Sequence, residues 1–175
     1  VCVDKEREKI KALNKGKIPI FEPGLATLMA KNIASGRLTF TQNLTSAVDS
    51  ADAVFIAVGT PTRRGDGHAD LTFVMEAVKA VARAAKNNIV IVTKSTVPVG
   101  TNRRIKETVR KANPRLDFNV ASNPEFLREG AAINDFMRPD RVIIGVDSAR
   151  AGEVLSSIYR PLYLRDCPIL ITDLE

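Results

Sequence analysis

The chain has 175 residues, 45% hydrophobic and 26% charged, which are the proportions of a globular domain with a core and not of a disordered or fibrous chain. Lys and Arg outnumber Asp and Glu by 26 to 20, a net charge of +6. The longest apolar run, Ala53 to Val58, is far shorter than the roughly 20 residues of a membrane-spanning helix, so no membrane partner is expected. A single histidine, His68, in a polar stretch argues against Ser-His-Asp and Cys-His triads and His-rich metal sites.

In chain order, short apolar runs alternate with longer stretches of helical spacing, with no fixed-period repeat. Val1 to Val3 reads as a strand and opens without the basic and apolar regions of a secretory signal, so the expected location is cytoplasmic. A helical stretch runs from Lys5 to Asn14. A second runs from Gly24 to Ser35, with Pro23 near its first turn and Gly36 past its end. Strands are expected at Leu38 to Thr41 and Ala53 to Val58. Asp70 is the candidate N-cap of a helix whose Leu71, Val74, Val78, Val81 and Ala85 form one apolar stripe, stopped by Asn87-Asn88. Further strands follow at Ile89 to Thr93, Phe118 to Ala121, Arg141 to Val146 and Pro168 to Thr172, with Thr101 and Ser148 as helix N-caps among them. Cys2 and Cys167 carry no CxxC spacing and read as buried small hydrophobes.

Strands apolar along their whole length belong to parallel sheets covered on both faces, so the expected fold is α/β, a doubly wound parallel sheet. In such sheets ligands bind at the carboxyl ends of the strands. Those ends are polar here: Asp4 closes the first strand, Gly59-Thr60-Pro61-Thr62 follows the third, Lys94-Ser95-Thr96-Val97-Pro98 the fourth, and Ser122-Asn123-Pro124-Glu125 the fifth.

A carboxylate at a strand end accepts hydrogen bonds from both ribose hydroxyls and repels a 2′-phosphate, so Asp4 favours NAD over NADP. It equally suits the N-cap of the helical stretch that follows it. Thr60, Thr62, Ser95 and Thr96 are hydroxyl donors for phosphate, ribose or amide, or turn and cap residues. Glu125 and Glu129, four apart, share a face if helical, one as acid or base and the other as an orienting group. As solvated first-turn glutamates they have no such role. Arg103, Arg104, Lys106, Arg110 and Lys111 admit a phosphate-backbone reading, but they spread around their helix and aromatics are only 5%, so a solvated basic face is expected and no nucleic acid partner.

No GxGxxG occurs; Gly65-Asp66-Gly67 is the one GxG. Because the chain opens on a strand ending in Asp, the first strand and its glycine-rich phosphate loop are expected to lie upstream of Val1.

Five strings together are more specific than any one: Phe21-Glu22-Pro23-Gly24-Leu25, Gly59-Thr60-Pro61-Thr62, Ser95-Thr96-Val97-Pro98-Val99-Gly100, the run Asn123 to Gly130 (NPEFLREG) and the run Asp135 to Gly145 (DFMRPDRVIIG). In these the chain resembles the UDP-glucose 6-dehydrogenase family of nucleotide-sugar dehydrogenases. The resemblance spans Val1 to Glu175 and implies a Rossmann-like NAD-binding domain over residues 1–175, lacking its first strand and glycine-rich loop. The implied reaction is the four-electron oxidation of UDP-glucose to UDP-glucuronate, in two NAD-dependent steps through a thiohemiacetal and a thioester on a cysteine.

By motif position the resemblance implies that Asp4 and Lys9 contact the adenosine ribose, and that Val58, Gly59, Thr60, Pro61, Thr62 and Ser95 line NAD. It places Glu129 towards the nicotinamide. Glu125, Phe126, Leu127, Arg128 and Glu129 border the sugar, with Glu125 as acid/base and Thr96 positioning the reacting centre or a water. The family's catalytic cysteine and lysine, its central helix and its substrate-binding domain are expected after Glu175. The chain alone is therefore expected to be inactive, and the whole enzyme to be a homo-oligomer, at least a dimer. Sister enzymes acting on GDP-mannose or UDP-N-acetyl sugars, and a non-catalytic nucleotide-binding module, are the alternatives.

Overall fold

The computed structural model describes residues 1–65, 67–163 and 167–174; Asp66, in the middle of the one GxG string, lies outside them. Along the chain run β1 (Cys2–Val3), α1 (Arg7–Asn14), α2 (Leu25–Ala34), β2 (Phe40–Thr41), α3 (Leu44–Val48), β3 (Ala53–Ile56), α4 (Thr72–Ala84), β4 (Ile89–Thr93), α5 (Thr101–Ala112), β5 (Phe118–Ser122), α6 (Ala132–Met137), β6 (Val142–Val146), α7 (Ala149–Tyr163) and β7 (Ile169–Asp173). All seven expected strands form, with ends shifted by no more than two residues. The chain folds into two compact units, Val1–Ala47 with Phe126–Pro139, and Val48–Glu125 with Asp140–Glu175.

In the first unit β1 and β2 pair in parallel, Cys2 opposite Phe40 and Val3 opposite Thr41. Helix α1 buries Ile10 and α2 buries Met29. As expected, Gly36 follows α2 with φ +71°, a left-handed conformation open to glycine at no steric cost. Cys2, expected to be buried, is exposed, since nothing among the described residues covers either residue of β1. Cys167 is buried as expected.

The second unit is a five-stranded sheet in the order β3-β4-β5-β6-β7. Every residue of β4 is buried, which accounts for its uninterrupted apolar sequence. Val90 and Val92 join Ala121, Val142 and Ile144 in one core with Ala151, Leu155 and Tyr159 of α7. Alternation along the strand leaves Ile89 and Ile91 for the other face, where α4 on β3 and α5 on β5 bring the buried stripes Val74, Val78, Val81 and Ile105, Val109. Each such side chain contributes about 1.5–3 kcal/mol. The sheet is thus wound on both faces, as expected.

One pairing departs from the expected all-parallel sheet: β6 runs antiparallel to β5, Ala121 opposite Val146 and Ser122 opposite Gly145. The connection after Ser122 carries only the six-residue α6 and returns at the same end of the sheet, so β6 enters from beyond the carboxyl end of β5. A reversal of direction needs no covering crossover helix. β6 and β7 are again parallel, joined through α7.

Two expected N-caps move. Thr101 is already helical and 2% exposed; the cap is Gly100, at φ +85°. Leu71 caps α4, with Asp70 one residue further out accepting the Thr72 amide at 2.9 Å. Ser148 does cap α7, its Oγ accepting the Ala151 amide at 3.2 Å. Among the described residues no helix is long and apolar enough to cross a membrane.

Gly145 is required by packing. A Cβ there would stand 2.9 Å from the backbone oxygen of Asp173, so Gly145→Ala must push β6 off β7. We expect a loss of about 1–3 kcal/mol, measured as a lower urea midpoint at unchanged slope.

Candidate functional site

In the second unit the polar segments after β3, β4 and β5 meet at the carboxyl ends of their strands. The Lys94 amide donates to Ile56 O at 2.9 Å, and the Asn123 amide to Thr93 O at 2.9 Å. The Ser95 hydroxyl donates to Val58 O at 2.7 Å, and the Thr60 hydroxyl to Thr96 O at 3.3 Å. The expected NAD-lining residues Val58, Thr60 and Ser95 and the expected positioning residue Thr96 are therefore cross-linked. The hydroxyl protons of Ser95 and Thr60 are spent on this scaffold, which leaves their oxygens as acceptors. The rim is open at Gly59, where a Cβ would meet nothing within 4 Å. Pro61 and Thr62 continue into a short hairpin, in which Asp70 N donates to Pro61 O and Thr62 bridges Ala69. His68 lies in that hairpin, its backbone oxygen accepting the Arg63 amide.

Lys94, Asn123 and Tyr159 form a buried polar cluster beneath this rim, which the sequence reading did not assign. Lys94 Nζ donates to Asn123 Oδ1 at 3.1 Å and lies 3.4 Å from Tyr159 Oη and 5.8 Å from its ring centroid. Tyr159 Oη also donates to Asn123 Oδ1, and Asn123 Nδ2 donates to Ile143 O at 2.9 Å. Asn123 is 1% exposed, so its amide is the hub through which the cation is accommodated. Burial pushes the Lys94 ammonium below its ordinary range, opposed by the negative charge of Glu125, and raises the Tyr159 hydroxyl to about 12. A lysine directly after a fully apolar strand was the available signal.

In the first unit Asp4 accepts the Glu6 amide at 2.9 Å on one carboxylate oxygen and Lys9 Nζ at 2.5 Å on the other. The Lys9 hydrogen bond holds the Asp4 carboxyl below its ordinary value, so Asp4 is ionised. Each oxygen keeps a lone pair for a further donor. The cap position is Glu6, not Asp4, although Asp4 does accept the amide of Glu6 itself. Lys9 is committed to Asp4.

Glu125 and Glu129 share no helical face: residues 123–128 carry no regular structure and α6 begins only at Ala132. At the end of this loop the Arg128 amide is claimed by a side chain. Arg128 N and Nε both donate to Asp135 Oδ2 at 3.0 Å, and Nη2 donates to Oδ1 at 2.7 Å. This bidentate pair drives the Asp135 carboxyl down to about 2. Glu125 is half-buried in the second unit, whereas Phe126, Leu127, Arg128 and Glu129 are exposed in the first. The basic face of α5 is partly engaged: Lys106 pairs at 2.9 Å with Asp147, whose other oxygen accepts the Val120 amide. Among the described residues no cluster of His, Cys, Asp and Glu could hold a metal ion.

Residues 1–163 match the family model described as UDP-glucose/GDP-mannose dehydrogenase family, NAD binding domain. The chain is 59% identical over 174 residues to a UDP-glucose 6-dehydrogenase of Rhizobium meliloti, a match that covers 98% of this chain and 40% of that protein. It also superposes, at TM-score 0.92 and 40% identity, on a UDP-glucose dehydrogenase structure from Pyrobaculum islandicum, covering 98% of this chain and 40% of that one. A ternary complex of GDP-mannose dehydrogenase from Pseudomonas aeruginosa gives the same TM-score at 35% identity, covering 99% of this chain and 40% of that one. The chain thus spans about 40% of the length of these relatives.

Replacing Asn123 by Ala removes the acceptor shared by Lys94 and Tyr159 and the donor to Ile143 O. A loss of about 3 kcal/mol in denaturant unfolding is expected. For Asp135, whose acidity is increased in the folded chain, the ion pair contributes at all pH values above the ordinary 3.8 and is lost only as pH falls through about 2. Carboxyl-carbon NMR should show that late titration in the wild type. In Arg128→Ala it should return towards 3.8.

Proposed function

This chain belongs to the UDP-glucose/GDP-mannose dehydrogenase family and carries its NAD-binding domain, and from that premise we propose that the whole protein oxidises UDP-glucose to UDP-glucuronate with NAD. The observation that carries the substrate is the 59% identity to a UDP-glucose 6-dehydrogenase over 98% of this chain.

The residues fit NAD. Ionised Asp4, with lone pairs to spare, suits the two hydroxyls of an adenosine ribose and disfavours a 2′-phosphate. Lys9 holds that carboxylate in place. Open backbone at Gly59, with Val58, Thr60, Pro61, Thr62 and Ser95, offers a surface for close approach of the dinucleotide. NAD, when bound, supplies the hydride acceptor. The chain's own residues position and move protons.

Glu125, half-buried and carrying a charge that acts on Lys94, is the acid/base group: it takes the proton released as the sugar alcohol is oxidised and later activates the water that hydrolyses a thioester on a cysteine supplied outside this chain. Thr96, with its carbonyl tied to Thr60, positions the reacting centre or that water. Phe126, Leu127, Arg128 and Glu129 border the sugar nucleotide, with Glu129 also reaching towards the nicotinamide. Because Arg128 is locked to Asp135, it contributes the shape of this segment more than a free cation. The active form is a homo-oligomer.

NADH released per limiting sugar by the whole protein tests the reaction. Two equivalents from UDP-glucose are expected; two from GDP-mannose or a UDP-N-acetyl sugar instead would move the substrate, and none from any would leave a nucleotide-binding module. Asp4→Asn should raise the KM for NAD about 10-fold and narrow the preference over NADP. For Glu125→Gln the expectation is thioester hydrolysis slowed by about 10²-fold or more, and turnover at the wild-type rate would remove its assigned role.

A further inference from the structure

The turn Phe21-Glu22-Pro23-Gly24-Leu25 has no part in the chemistry above, yet it makes a long-range contact within the first unit. Helix α6 starts without a local cap: its N-cap position is Ala131, which has no side chain able to accept a hydrogen bond. Glu22, more than a hundred residues earlier in the chain, supplies the acceptors. Its Oε2 takes the Gly130 amide at 2.9 Å and its Oε1 the Ile133 amide at 3.4 Å. An orphan first-turn donor, Ile133 N, normally satisfied by a neighbouring Ser, Thr, Asp or Asn, is thus satisfied from a distant turn, together with the Gly130 amide just ahead of the helix. The Glu22 carbonyl in turn accepts the Leu25 amide at 3.1 Å, and Gly24, at φ +82°, brings its backbone against α6, where a Cβ would lie 3.9 Å from Ile133 Cδ1.

The consequence falls on Glu129. The preceding amide, Arg128 N, is held by Asp135, and the following one, Gly130 N, by Glu22. Two carboxylates grip the backbone on either side of one residue, in a turn that the Ala131 amide closes on Arg128 O at 3.1 Å. We propose that Glu22 is a positioning residue, which fixes the backbone at Glu129 and thereby the shape of the Phe126–Glu129 segment offered to the sugar nucleotide. Both of its oxygens accept backbone N–H groups of that stretch, so its action is exerted through the shape of the segment. The inference rests on the reading that this segment borders the sugar.

The test uses the whole enzyme with Glu22→Ala and Glu22→Gln. Glu22→Ala should raise the KM for UDP-glucose about 10-fold while the KM for NAD stays within about twofold. Glu22→Gln, which keeps one carbonyl oxygen for the Gly130 amide, should recover part of that loss, a rescue that simple destabilisation would not produce. Hydrogen exchange at the Gly130 and Ile133 amides should accelerate in Glu22→Ala whether or not the enzyme turns over. An unchanged sugar KM in Glu22→Ala would overturn the proposal, as would equal rises for sugar and NAD accompanied by a lower Tm. Should the wild type oxidise no sugar nucleotide, the parent reading fails on its own, and unaltered exchange at the two amides would separately remove the clamp.

Discussion

A fully buried strand sets the terms for everything else in the larger unit. Each residue of β4 is out of water, so its backbone must be paired on both edges, as it is with β3 and β5, and both its faces must be covered by apolar side chains. Helices α4 and α5 on one face and α7 on the other meet that demand. Polar chemistry is then confined to the strand ends, where Lys94 is the first residue released from the core. Its ammonium is only partly released, and that is why Asn123 and Tyr159 have to accommodate it.

The same economy governs the polar residues of the rim and of the smaller unit. Most of the groups that chemistry would draw on are already engaged: Ser95 with Val58, Thr60 with Thr96, Lys9 with Asp4, Arg128 with Asp135. Such engagement preorganises a site, because a group whose rotamer is held by a hydrogen bond does not have to be ordered when a ligand arrives. It also separates two roles that residue type alone merges. A hydroxyl or cation already bonded to the scaffold shapes the surface, whereas a carboxylate with spare lone pairs, as at Asp4, still has capacity for a ligand.

Where local rules suffice, residue pattern and structure agree. The strands follow from apolar runs, α2 ends where Gly36 permits a left-handed turn, and Ser148 caps α7, because each of these depends on neighbours a few positions away. Where two distant segments compete for one backbone group, they part. Glu125 and Glu129 have helical spacing, but the amides of Arg128 and Gly130 are taken by Asp135 and Glu22 and the segment is a loop. The Thr101 cap fails as well, here because the neighbouring Gly100 turns the chain and Thr101 is buried inside the helix.

By itself the sequence determined the α/β class, the seven strands, the strand ends that carry polar residues and, through five motifs, the family, since apolar periodicity and motif spacing are properties of the chain read in one dimension. Only the tertiary structure decided that β6 runs against β5, that Cys2 is exposed, that Lys94 is held in a buried amide and phenol cluster, and that Glu22 caps a helix a hundred residues away. The reason is physical. Strand direction, exposure and hydrogen-bond partnership depend on what the fold brings alongside a residue, and no local pattern records it.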